Sequence, residues 1–128
     1  MTPAPEFTGL GPLGQIAVTV NDMARAVAFY RDVLGLPFLF EVPGMAFFNA
    51  GGVRLLVGLP QGAPPPPNNS VLYFRVADIA SAHAALAARG VKFRNAPALV
   101  ARMPDHELWM AAFDDPDGNV LQIMSEVR

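Results

Sequence analysis

Apolar residues in the first half of the chain switch from a strand-like to a helix-like spacing and back. Residues 15–20 are rich in β-branched residues, which predicts a short strand. Asp22 offers a side-chain oxygen that can cap a following helix, and Gly35 suits the left-handed position at its end. The apolar face of this helix is predicted from spacings of three and four: Met23, Ala26, Val27, Tyr30, Val33 and Leu34. Three further strands are predicted at residues 38–42, 45–50 and 53–58, separated by Pro-Gly and Gly-Gly turns.

The second half repeats this order. Residues 71–82 resemble residues 15–26, with Asp78 in the place of Asp22. The repeat predicts a strand at 71–76, a helix from Asp78 to Gly90 and three more strands, the last two at 108–113 and 120–125. The Asp-Pro-Asp-Gly turn before the last strand suits a type I turn, and we expect a positive φ at Gly118.

The repeat predicts one domain over residues 1–128, built from two βαβββ modules. Module one covers about 13–59 and module two about 70–127. The stretch between them, about 60–69, is rich in proline and predicts an extended, surface-exposed connector.

Composition narrows the class of protein. The 128 residues are 52% hydrophobic and 16% charged, which predicts a well-packed core. A net charge of −2 without a Lys/Arg run argues against nucleic acid as a partner, and no apolar run approaches the ~18 residues of a membrane span. The absence of cysteine excludes disulfides, thiolate metal sites and a Cys nucleophile. The first residues lack the pattern of a signal peptide, so we expect a cytoplasmic protein with no membrane partner.

Two motifs carry a family resemblance. Residues 26–37 read Ala-Val-Ala-Phe-Tyr-Arg-Asp-Val-Leu-Gly-Leu-Pro, and residues 113–119 read Phe-Asp-Asp-Pro-Asp-Gly-Asn. With the strand that leads to Asp22, they resemble the vicinal oxygen chelate superfamily of glyoxalase I, the bleomycin-resistance proteins and the extradiol dioxygenases. The resemblance implies an α+β fold in which two βαβββ modules form a curled, half-open barrel sheet around a cavity, with helices on the outside. It also implies a twofold homodimer, since open curled sheets leave edges that need covering.

In metal-bearing members of that superfamily, four strand positions direct metal ligands into the cavity. By the resemblance they fall here at Gln15, Leu56, Val71 and Gln122. Two of these side chains are hydrocarbons, and neutral amides are weak ligands for a divalent ion. We therefore expect neither a bound metal nor another cofactor.

The remaining polar residues near the predicted cavity have two interpretations each. His106 is the candidate catalytic residue, as a general base, or else a loop histidine that hydrogen-bonds the backbone next to Asp105. Gln15 is expected to bond Gln122 or a ligand, and Arg54 an anionic ligand or Glu41. The predicted ligand-binding residues are Gln15, Phe47, Arg54, Leu56, Val71, Tyr73, Met110, Gln122 and Met124.

Three functions remain open. The favoured one is binding of a small, largely apolar or aromatic molecule in the barrel cavity without a metal. The alternative is a lyase, isomerase or dioxygenase-type enzyme of the same superfamily that uses a degenerate metal site or His106 as base. The third is a scaffold-like dimer with a vestigial cavity. The predicted partners are a small-molecule ligand and a second copy of the chain.

Overall fold

The two halves of the chain form two four-stranded sheets of the same topology. A computed structural model describes residues 6–62 and 69–128. In the first half the elements are β1 (Gln15–Thr19), α1 (Met23–Val27) with a π-helical continuation (Ala28–Val33), β2 (Phe38–Val42), β3 (Met45–Asn49) and β4 (Arg54–Gly58). In the second half they are β5 (Leu72–Arg75), α2 (Ile79–Ala88), β6 (Ala98–Arg102), β7 (Glu107–Asp114) and β8 (Val120–Val127).

Each sheet is mixed and unclosed. The strand orders are β1-β4-β3-β2 and β5-β8-β7-β6. The first strand of each module runs parallel to the last, and the other neighbours are antiparallel. This confirms the predicted α+β fold of two βαβββ modules.

Local sequence signals account for where the elements begin and turn. The Asp22 carboxylate accepts from the backbone N–H of Arg25 at 3.0 Å, and Asp78 caps α2 through Ser81 in the same way at 3.1 Å. Gly118 has a φ of 84°, as predicted for the turn between β7 and β8.

The first helix differs from its prediction. It is α-helical only over Met23–Val27 and π-helical over Ala28–Val33. The Leu34 N–H donates to the Phe29 carbonyl, five residues back, at 2.9 Å. An apolar repeat at spacings of three and four identifies the buried face but does not specify which carbonyl each N–H reaches.

Several predicted boundaries also shift. Strand β5 begins at Leu72, so Val71 precedes it, and the last two strands extend beyond 108–113 and 120–125. The predicted connector falls partly outside the described residues, as does the start of the chain, so the single domain over 1–128 and the connector stay predictions. Within the described ranges, no helix has the length and apolar character to cross a membrane.

One hydrophobic core draws on both modules. It includes Val20, Phe48 and Leu55 of the first and Phe113 and Leu121 of the second, each at most 1% exposed. Burial of these side chains against one another is the main favourable term in folding.

Polar contacts at the β7–β8 turn also join the modules. The Tyr30 hydroxyl donates to Asp115 Oδ2 at 2.8 Å. Asp117 Oδ1 accepts from the Asn21 backbone N–H at 3.0 Å and from the Arg25 guanidinium at 2.9 Å. The Asn119 amide donates to the Thr19 carbonyl at 2.9 Å. The turn of the second module is therefore bonded to the helix and first strand of the first.

Candidate functional site

Each sheet has one face against its helix and one face away from it. In the first sheet α1 packs on β3 and β4, where Ala46, Phe48 and Leu55 are buried in the core. Side chains alternate along a strand, so their neighbours lie on the opposite side. We name this side the first open face, and define it by Gln15, Phe40, Phe47, Arg54 and Leu56.

Gln15 and Arg54 are paired on the first open face. They are register partners on the parallel strands β1 and β4. The Arg54 Nε–H donates to Gln15 Oε1 at 2.7 Å. Gln15 therefore bonds Arg54 rather than Gln122, and within residues 6–62 and 69–128 no ion pair joins Arg54 to Glu41.

An aromatic stack lies beside this pair. The Arg54 guanidinium carbon lies 5.3 Å from the centre of the Phe47 ring. Phe47 stacks in turn on Phe40, with ring centres 4.4 Å apart and an interplanar angle of 23°. Phe47 is 8% exposed and Phe40 is 44% exposed, so the outer ring of the stack presents a free surface.

The second sheet has a corresponding open face. In this sheet α2 packs on β7 and β8, where Ala111, Phe113, Leu121 and Ile123 are buried. The second open face is defined by Tyr73, Met110, Gln122 and Met124, together with Leu108. Tyr73 is the register partner of Gln122, and Met110 of Met124.

His106 lies directly before β7 and contacts a carboxylate. Its Nδ1 is 2.7 Å from Asp105 Oδ1, and its side chain is 17% exposed. The Arg128 guanidinium donates to Asp105 Oδ2 at 2.7 Å. Hydrogen bonds from Arg128 and then from His106 hold the pKa of the Asp105 carboxyl below its usual range. The ring thus bonds the side chain of Asp105, whereas the structural interpretation of His106 expected a bond to the backbone, and this contact fixes which ring nitrogen faces the carboxylate.

The predicted site residues divide between the two sheets. Four of them, Gln15, Phe47, Arg54 and Leu56, lie on the first open face, and four, Tyr73, Met110, Gln122 and Met124, on the second. Val71 lies before β5 at the seam between the modules. It lines a cavity of about 310 Å³ there with Ile16, Leu55 and Tyr73.

Two residues that the sequence interpretation missed belong beside these groups. Phe40 extends the stack on the first open face, and its period-two spacing from Val42 was the available signal. Asp105 orients His106, and its position directly before the histidine was the available signal.

The residues at the inherited ligand positions do not fit a divalent metal. The only atom of Gln15 able to ligate a cation, its carbonyl oxygen, already accepts from a guanidinium. Leu56 and Val71 carry no donor atom. In the described part of the chain, no three His, Asp or Glu side chains are grouped to hold an ion.

Paired βαβββ modules with curled, unclosed sheets define the structural class. The family model of the Glyoxalase/Bleomycin resistance protein/Dioxygenase superfamily matches residues 13–123, and the chain belongs to that superfamily.

Comparison with known proteins gives relatives that match different shares of this chain. The chain is 31% identical over 126 residues to the uncharacterized protein YraH of Bacillus subtilis, covering 85% of this chain and 94% of that protein. It is 35% identical over 52 residues to the metallothiol transferase FosB of Staphylococcus haemolyticus, covering 41% of this chain and 37% of that protein.

Solved structures share the fold. Lactoylglutathione lyase from Agrobacterium tumefaciens matches with a TM-score of 0.71 and 22% identity, covering 91% of this chain and 94% of that chain. A glyoxalase/bleomycin resistance protein/dioxygenase from Alicyclobacillus acidocaldarius matches with a TM-score of 0.72 and 16% identity, covering 95% and 96%. At these identities the likeness concerns the fold alone.

Proposed function

We propose that this chain binds a small, largely apolar or aromatic molecule on its open faces without a bound metal. The observation that carries the proposal is the first open face itself. There an aromatic stack of Phe40 and Phe47 lies beside the hydrogen-bonded pair of Gln15 and Arg54. Gln15 is one of the four positions at which metal-bearing members of the superfamily are expected to carry a metal ligand. Such a face offers a flat apolar surface with a few polar groups at one corner, as small-molecule sites do.

A second copy of the chain is part of the proposal. Large apolar side chains are exposed on both sheets, including Phe40 (44%), Val42 (38%), Tyr73 (47%) and Val100 (55%). Burying such patches against another chain removes apolar area from water, which favours association. We propose a homodimer, and light scattering should give twice the mass of the chain at micromolar concentration. A monomer would contradict this part of the proposal. The cytoplasmic location stays a prediction.

A thermal-shift screen of aromatic and aliphatic metabolites tests the binding proposal. A compound that binds the folded state raises its melting temperature by mass action. Phe40→Ala should weaken a hit by about tenfold or more, because it removes the outer ring of the stack. Phe7→Ala is the matched control, since Phe7 is 76% exposed and precedes both sheets. If no compound stabilises the protein, or if both variants bind like the wild type, the binding proposal fails.

The pairing of His106 with Asp105 favours one second candidate, a lyase or isomerase with His106 as general base. A carboxylate on Nδ1 orients the imidazole, which leaves Nε2 as the nitrogen that can take a proton from a substrate. If the hits from the screen are substrates, incubation in D₂O should place deuterium in them, and His106→Ala should abolish this exchange without abolishing binding. Exchange that persists in the variant, or that never occurs, would refute this candidate.

A further inference from the structure

The turn that joins β3 to β4 is the counterpart of the turn that joins β7 to β8. In the second module, the Asp115 N–H donates to the Asn119 carbonyl at 2.9 Å and closes the turn. In the first module, the Ala50 N–H donates to the Val53 carbonyl at 2.8 Å and does the same. Ala50 therefore stands in the place of Asp115, and Val53 in the place of Asn119.

The bond between Tyr30 and Asp115 has no counterpart at this equivalent place. On the helices, the equivalent of Tyr30 is Leu86, at the same distance from the capping aspartate. Neither Leu86 nor Ala50 carries a polar side-chain atom, so no side-chain hydrogen bond can join them. We name the place where Tyr30 meets Asp115 the bonded seam, and the equivalent place, at Leu86 and the turn 50–53, the cavity seam.

The cavity seam contains the larger of two equivalent cavities. At the bonded seam, a cavity of about 370 Å³ is lined among others by Val91, Lys92, Asp114 and Asp115. At the cavity seam, a cavity of about 600 Å³ is lined among others by the corresponding Leu36, Pro37, Asn49 and Ala50. The larger cavity also reaches three consecutive residues of β5, 73–75. Because consecutive side chains of a strand point to opposite faces, this cavity lies along the edge of β5.

An apolar chamber of about 180 Å³ adjoins the larger cavity. Leu36, Phe74 and Arg75 line both spaces. The other residues of the chamber are apolar and come from both modules: Leu34, Val76, Leu86, Phe113 and Ile123. A chamber with such walls accepts hydrocarbon in preference to water.

The polar groups of the cavity seam are hydrogen-bond donors. Among the described residues that line the cavity and the chamber, Arg75 is the only charged one. Its side chain is 79% exposed, and its ion pair with Glu126 spans 3.6 Å, which is longer than a hydrogen bond. Asn49 Oδ1 accepts from the Gly52 N–H at 2.9 Å, so the Asn49 NH₂ group is left to donate. A guanidinium and an amide NH₂ group together favour a carboxylate.

We propose that the cavity seam binds an aliphatic carboxylate, with the carboxylate at Arg75 and Asn49 and the hydrocarbon chain in the apolar chamber. Arg75 lines both the cavity and the chamber, so the two ends of such a ligand lie in adjoining spaces. This site is not the aromatic stack of the first open face. The inference therefore goes beyond the proposed function and does not depend on it.

Octanoate and its neutral amide, octanamide, test the proposal by calorimetry. Octanoate should bind about tenfold more tightly, because only the carboxylate makes a charge-assisted contact. From hexanoate to heptanoate to octanoate, each added methylene should strengthen binding by about fourfold as more chain enters the chamber. Arg75→Met should abolish the preference for octanoate and keep the binding of octanamide. Leu86→Phe fills the chamber and should weaken both probes by about tenfold.

Two arginine and lysine variants are matched controls. Arg102 also lies on an edge strand of the second sheet, is 76% exposed and is paired with Glu107 at 3.3 Å. Lys92 lines the equivalent cavity at the bonded seam. Arg102→Met and Lys92→Met each remove one positive charge, and both should bind octanoate like the wild type. Circular dichroism should show each variant folded, and the series of chain lengths tests the chamber even if Leu86→Phe does not fold.

The outcomes separate this inference from the proposed function. Equal affinity for octanoate and octanamide, no gain with chain length, or equal losses in Arg75→Met and Arg102→Met would overturn the assignment of the cavity seam. If octanoate binding is lost in Phe40→Ala but kept in Arg75→Met, the compound lies on the first open face and the seam assignment is wrong. If octanoate binds as expected while no screened compound depends on Phe40, the seam site stands and the proposal for the open faces falls.

Discussion

Removing a single oxygen atom tests how strongly the two modules are joined. Tyr30 is fully buried, and its hydroxyl donates to Asp115 Oδ2 at 2.8 Å across the module boundary. Tyr30→Phe deletes this bond and keeps the ring, which contacts Phe29 and Phe48 at centre distances of 5.4 and 5.9 Å. The change therefore reports the hydrogen bond rather than the packing.

The expected cost follows from the bonds that Asp115 retains. The carboxylate is 4% exposed and still accepts from the backbone N–H groups of Asp117 (2.9 Å) and Asn119 (2.8 Å) and from the Asn119 amide (2.8 Å). A hydrogen bond to a charged group contributes about 1.5–3 kcal/mol to the free energy of unfolding. Because Asp115 keeps its other partners, we expect a loss of about 2 kcal/mol, inside this range. For a chain of this length, that lowers the melting temperature by about 7 °C.

Urea unfolding monitored by circular dichroism measures this loss, with an unchanged m-value as the sign that the unfolding reaction is the same. Tyr73→Phe is the matched control, because Tyr73 is 47% exposed and its hydroxyl has no bond recorded within the described residues. The control should change the free energy of unfolding by less than about 0.5 kcal/mol. If the two variants are equally stable, the buried bond between the modules contributes no net stability and the argument is wrong.

Three further predictions follow. Gly118→Val should destabilise by about 1–3 kcal/mol in thermal melts, and Gly118→Asn by less, because φ is 84° while nothing lies within 4 Å of an added Cβ. Burial and, to a smaller extent, Asp115 raise the pKa of the Tyr30 hydroxyl. Above about pH 10, the free energy of unfolding of the wild type should therefore fall with pH more steeply than that of Tyr30→Phe, by about 1.4 kcal/mol per pH unit. Elemental analysis after purification without added metal should find less than one Zn, Ni, Fe or Mn per chain, and an ion held by Gln15 and Gln122 would refute this.

The elements of this fold could be predicted because their signals are local. Asp22 and Asp78 cap helices through N–H groups three residues away, and Gly118 supplies a conformation that its own position requires. The internal repeat also strengthened the prediction, because the same order of strands and helix could be predicted in each half independently. The π-helical segment escaped because one apolar spacing fits two hydrogen-bonding patterns.

The candidate site could be predicted only residue by residue. Gln15 and Arg54 were both identified, but their partnership depends on the parallel register of β1 and β4, which lie far apart in sequence. The division of the site residues between two open faces depends on how the modules pack, and no local pattern encodes that. The sequence shows Asp105 only as the residue before His106, and it does not show that the Asp105 carboxylate bonds the imidazole ring.

The contacts at the β7–β8 turn make the two halves of the duplication unequal. The second half contributes the carboxylates that accept these hydrogen bonds, and the first half contributes Tyr30 and Arg25 as the donors. At the equivalent places in its own helix, the second half has Leu86 and Ser81, which cannot play those parts. A tandem of two second halves would bury carboxylates that lack a phenol or a guanidinium. The second half therefore depends on the first for the donors that its turn carboxylates require.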